Sequence, residues 1–214
     1  MKKAAVGFRV HSGWAAMVAV ALEKGEPVVL SRERPHLVKI FNYSYRQPYH
    51  TAKKMPLEEG RAFISQVRDE ATGLACSALR EVQVRLREAG YALTHCGVLL
   101  ASGRVLPKLE EILAAHPLMH TADGELFREA LIQAGGKCGF AVLQVREKEL
   151  LSRAAKVLRR KEEALLRRVT EAGRGMGSPW SQDEKFAALA AWLALGSRTA
   201  AGGKPAKNRR AGKN

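Results

Sequence analysis

The sequence predicts an α/β fold in which a mixed five-stranded sheet is covered by helices, with extra helices at the C-terminal end. Three observations lead there. Short valine- and aromatic-containing runs fill the N-terminal part, a long amphipathic stretch follows, and short apolar runs then alternate with helical patterns.

Ala4–Val10 and Trp14–Leu22 read as strands joined by a tight hairpin at His11-Ser12-Gly13. The alanines of 14–22 would also allow a helix, but a run this short between two turns favours a strand. Lys24-Gly25-Glu26-Pro27 makes the second turn, and Val28–Val38 continues as a third strand. A polar and aromatic loop spans Phe41 to Pro56. From Leu57 to Ala89, apolar residues recur three and four apart (Phe63, Val67, Ala71, Leu74, Ala78, Val82, Leu86), the stripe of a long helix that Gly90 ends. Thr94–Ala101 is a buried strand closed by Ser102-Gly103. Helical stretches at Pro107–Ala115 and Gly124–Ala134 precede a fifth strand, Phe140–Val145, apolar on both faces. Glu147–Arg159 and Glu162–Ala172 are basic helices, and Gly173–Pro179 is a loop. Ser181 and Glu184 form a capping box that opens the last helix. On its apolar stripe Trp192 belongs to the core, and Trp180 before the cap acts as a hydrophobic staple.

Turns this short force the first three strands into an antiparallel meander. The later strands arrive through helical crossovers and run parallel to the first. This β-β-β-α-β-α-β-α succession, with the opening Val6-Gly7-Phe8-Arg9-Val10-His11-Ser12-Gly13-Trp14, resembles the ribonuclease H-like superfamily in its resolvase-type topology. The resemblance covers residues 4 to about 195. It implies a nuclease edge where acids at the end of strand one, on the first helix or the end of strand four, and on a late helix hold two magnesium ions. This chain departs from that pattern. Arg9 and His11 stand at the end of strand one, and Ser102 and Arg104 at the end of strand four. Only the late segments supply acids, Glu147 and Glu149 or Asp183 and Glu184. The reading is therefore a degenerate member that lacks the usual catalytic acids, with no metal site and no cofactor expected.

Open α/β sheets bind ligands at the carboxyl ends of their parallel strands. The expected pocket comprises Arg9, His11, Ser12, His50 and Ser102, with His11, His50, Asp183 and Glu184 as catalytic candidates. No acid placed to orient His11 or His50 is evident in the sequence. Arg46, Gln47, Tyr49 and His50 crowd the loop after strand three, a set suited to gripping phosphate and stacking on a base. Arg104, Arg146, Arg153, Lys156, Arg159, Arg160, Arg167 and Arg168 complete the expected nucleic-acid surface. His116 and His120 lie four apart, as a helical metal pair would. Pro117 between them predicts a broken helix, so no zinc site is assigned to them and Asp123.

Lysine and arginine number 36 against 21 acids, a formal charge of +15. Six of the basic residues (Arg198, Lys204, Lys207, Arg209, Arg210, Lys213) lie in the acid-free stretch from Ser197 onward, which reads as a disordered basic tail on a single domain spanning 1–196. A positive field of this size attracts polyanions without regard to sequence. The longest apolar runs, Trp14–Leu22 and Phe186–Leu195, fall well short of the roughly 18 residues of a membrane span. Three widely spaced cysteines fit a reducing cytoplasm rather than a disulfide framework, and Arg9 and His11 interrupt what would be the apolar part of a signal peptide. The expected function is a non-catalytic module that binds RNA or DNA. The alternatives are an enzyme acting on phosphate esters or nucleic acid around His11, Arg46 and His50, and a protein-interaction adaptor.

Overall fold

A computed structural model describes residues 1–101, 103 and 105–197. Strands β1 (Lys2–His11), β2 (Trp14–Glu23) and β3 (Glu26–Glu33) form the antiparallel meander. Strands β4 (Tyr91–Leu100) and β5 (Ala141–Arg146) extend the sheet in parallel with β1, giving the order β3-β2-β1-β4-β5. The mixed five-stranded sheet and its two kinds of connection are those the sequence predicts.

Alternation along β1 sorts the two faces. Ala4, Val6, Phe8 and Val10 point into a core built with the helices α3 (Leu57–Glu88) and α5 (His116–Lys137). Ala5, Gly7, Arg9 and His11 share the opposite face, covered by α8 (Gln182–Gly196). This second core also takes in α6 (Leu150–Leu158) and α7 (Glu162–Ala172). Helix α8 lies directly on the sheet. A Cβ on Gly7 would fall 1.9 Å from the Ala187 carbonyl oxygen, and one on Gly97 would fall 2.5 Å from that of Ala190. Glycine below and alanine above are what permit so close an approach. Trp192 is fully buried in this layer, and Trp180 packs on Gly173 while its indole N–H donates to the Val169 carbonyl at 3.0 Å.

Several boundaries differ from expectation. Strand β3 stops at Glu33, and the chain from there to Val38 turns inward, with His36 bridging to Trp14 and Leu37 and Val38 buried. The expected loop 41–56 contains the short helices α1 (Tyr43–Arg46) and α2 (Pro48–Ala52). The helix expected over 147–159 starts as a 3₁₀ turn at Glu147–Glu149 and ends where Arg159 adopts a left-handed φ of 53°. The apolar fifth strand is an edge strand, with Leu143 and Val145 buried on one face and Gln144 exposed on the other.

Between α4 (Leu109–Ala114) and α5 the chain bends only once, at Ala115. Pro117 sits in the first turn of α5, where the amide it lacks would have no helical partner in any case. It starts the helix instead of breaking it, so His116 and His120 share one face. Ser197 caps α8, its amide donating to Leu193, and so belongs to the folded unit; the rest of the basic tail, 198–214, lies outside the described residues.

Candidate functional site

The carboxyl ends of β1, β4 and β5 open onto one edge. At the end of β1, Arg9 makes a two-pronged ion pair with Glu147, Nε to Oε2 at 3.0 Å and Nη2 to Oε1 at 2.7 Å. Its Nη1 donates to Asp183 Oδ1, the same oxygen that lies 3.0 Å from His11 Nε2. The His11 ring stacks on Trp14, with centroids 4.3 Å apart and planes within 7°. Asp183 thus supplies the orienting acid for His11, from far along the chain.

Glu184 has a different task. It is fully buried, accepts from the Ser181 amide and hydroxyl at 2.8 and 2.6 Å, and pairs with Arg34 at 2.7 Å. Burial pushes its carboxyl up, but the hydrogen bonds from Ser181 and Arg34 outweigh that and hold it at about 2. Such an enclosed group, charged at neutral pH, anchors α8 and has no access to a substrate, which removes it from the catalytic candidates.

The Arg46-to-His50 segment is not an open gripping loop. Arg46 Nε donates to the Ser12 carbonyl at 3.0 Å and its guanidinium lies 4.5 Å over the Phe41 ring. Gln47 caps α2 and is half-buried. Tyr49 is buried, so its ring is not available to stack on a base. His50 is buried too, its Nδ1 lying 2.5 Å from Asp123 Oδ2 while Asp123 Oδ1 accepts the Tyr49 amide at 2.8 Å. Burial raises the Asp123 carboxyl despite these two partners. Facing His50 are the exposed His116 and His120, ring centroids 5.1 and 4.4 Å away. Partial desolvation, then His120, His50 and Lys53, push His116 down.

A cleft of about 360 Å³ runs along the edge, lined among others by His11, Ser12, Ala101, His120, Glu125 and Arg128. The expected pocket is therefore divided. His11 and Ser12 line the cleft, Arg9 lies behind them, His50 is sealed behind His120, and Ser102 and Arg104 fall outside the described residues.

The basic helices present a mixed surface. Arg146 pairs with Glu149, Arg160 and Arg168 both pair with Glu26, and Arg153 donates to the Gln144 carbonyl. Those contacts tie α6 and α7 to the sheet. Lys156, Arg159 and Arg167 are exposed and, among the described residues, form no ion pair.

Magnesium-based nuclease chemistry needs free carboxylates at this edge. Glu147 and Asp183 are both engaged by one guanidinium, that of Arg9 near the end of β1. This donor set does not fit a magnesium pair.

Sequence reasoning missed Asp123 as the partner of His50, Arg34 as that of Glu184, and Arg128 in the cleft wall. Only strand parity offered a signal, since it puts Arg9 and His11 on one face of β1.

No protein-family model and no curated protein matches this chain. Solved structures do. RuvC of Thermus thermophilus is 14% identical, with a TM-score of 0.50 over 90% of this chain and 93% of that one. RuvC of T. thermophilus in complex with a Holliday junction substrate gives 14% identity and a TM-score of 0.52 over 91% and 93%. The yeast mitochondrial Holliday junction resolvase Ydc2 is 12% identical, with a TM-score of 0.46 over 90% and 76%. With the strand order and crossovers above, the match to RuvC along nearly the whole of both chains establishes the fold of this protein as ribonuclease H-like, a mixed five-stranded sheet covered by helices.

Proposed function

We propose that this protein is a nucleic-acid-binding module of ribonuclease H-like fold that does not cut its ligand by two-metal chemistry. The carrying observation is Arg9, which lies near the end of β1 and pairs with both Glu147 and Asp183. Two further features support binding: the similar RuvC is seen in complex with a Holliday junction substrate, and Lys156, Arg159 and Arg167 leave unneutralised charge on the α6–α7 face. RNA and DNA are both within this reading, and recognition is through phosphates, independent of sequence.

The test is fluorescence anisotropy with labelled single- and double-stranded DNA and RNA across a salt series, on the full chain and on residues 1–197. Binding should persist in the shorter chain and weaken linearly in log salt, by roughly 0.7–0.9 in slope for each phosphate contact. Charge-neutral variants of Lys156, Arg159 and Arg167 should flatten that slope. Binding that vanishes with residues 198–214 would refute the module reading.

One observation favours a second reading. His11 lines the cleft with its imidazole oriented by Asp183, an arrangement able to move a proton during phosphate-ester hydrolysis. Hydrolysis lost in His11→Ala, with the circular dichroism unchanged, would support it.

A further inference from the structure

We propose that His50, His116 and His120 form a binding site for a transition-metal dication of the zinc type, open on the side of the cleft. One ring nitrogen from each residue lies within 4.8 Å of the others. The site is built around a buried group: His50 is 9% exposed, and its Nδ1 is committed to Asp123. A carboxylate acceptor fixes the proton on Nδ1 and leaves Nε2 with a bare lone pair. That Nε2 is fully enclosed and, among the described residues, has no hydrogen-bond partner, a costly state for a ring nitrogen unless something else takes the lone pair. A carboxylate behind a histidine whose far nitrogen is free is the arrangement that orients and strengthens a histidine metal ligand.

The other two ligands come from the first turns of α5, His116 and His120, four residues apart on one face. Both are exposed. Zinc–nitrogen bonds of about 2.0 Å place tetrahedral ligands roughly 3.3 Å apart, so the rings need close by only about 1.5 Å. Nitrogen donors select zinc, cobalt, nickel or copper over magnesium. Three protein ligands leave a fourth position for water or a phosphate oxygen, and His120 is also a wall of the cleft that His11 lines. The site uses none of Arg9, Glu147 or Asp183, so it stands or falls apart from the nucleic-acid reading.

The experiment uses the untagged full chain, stripped of metal with a chelator and dialysed. Cobalt(II) is titrated by visible absorption, zinc by competition with a chromophoric chelator, and thermal unfolding is followed with and without zinc. One equivalent should bind, with tetrahedral-type cobalt bands, and zinc should raise the unfolding temperature. The surface substitutions His116→Ala and His120→Ala should each weaken binding at least tenfold and abolish the thermal shift while leaving the circular dichroism intact. Asp123→Asn should weaken it about 10–100-fold. Saturable binding unchanged in the His116→Ala/His120→Ala double variant, or wild-type binding no tighter than the double variant's, overturns the proposal.

Discussion

Glu184→Gln tests the energetic claim made for the start of α8. The substitution keeps the side chain's shape and its ability to accept from Ser181, and removes the charge facing Arg34. A carboxyl held at about 2 against an ordinary 4.5 contributes about 3 kcal/mol to stability at neutral pH. Because the folded value is depressed, that contribution is complete above about 4.5 and is lost as pH falls toward 2. Urea unfolding of wild type and variant should therefore differ by about 2–3 kcal/mol at pH 7, and the gap should shrink to less than half by about pH 3. Equal stabilities at pH 7, or a gap that survives undiminished in acid, would refute the role assigned to this group.

Gly7→Ala should destabilise by about 1–3 kcal/mol in the same assay, since the added methyl meets α8 backbone, while Gly73→Ala, in an open stretch of α3, should stabilise by up to about 1 kcal/mol. Trp192→Ala should cost about 3–5 kcal/mol, read as a lower urea midpoint. Arg159→Gly should raise stability by about 0.5–1 kcal/mol by relieving the left-handed backbone, yet weaken nucleic-acid binding, which separates the two roles of that residue. Arg9→Leu leaves Glu147 and Asp183 without their shared cation and should lower stability by about 1.5–3 kcal/mol at pH 7, by urea unfolding.

The scaffold was legible in the sequence because its signals are local. Gly13 and Gly25 mark the hairpin turns, the 57–88 stripe has a helical period, and Ser181 with Glu184 announces a helix start. The functional edge was not legible, because its pairings span the chain. Arg9 meets Asp183 across 174 positions and His50 meets Asp123 across 73. Composition placed Arg46 to His50 in a polar loop, but Pro48 starts a helix whose turns bury Tyr49 and His50. Pro117 misled for the same reason: a proline marks the beginning of a helix as readily as its interruption. The ribonuclease H-like topology followed from element order alone, whereas the basic Arg9 near the end of β1 acquires meaning only once Glu147 and Asp183 are seen paired with it.

The bare contact between α8 and the sheet sets a tolerance for the edge. Gly7 is two residues from Arg9, roughly 6.6 Å along the strand, and Ala187 is one turn from Asp183. With backbone resting against backbone, no flexible side chain lies between them to take up slack. The helix can neither sink nor ride up without moving Asp183 off His11 by a similar amount. Glycine and alanine thereby act as a spacer gauge for the Arg9–His11–Asp183 cluster, and a single methyl on the sheet would be read as a misalignment at the cleft.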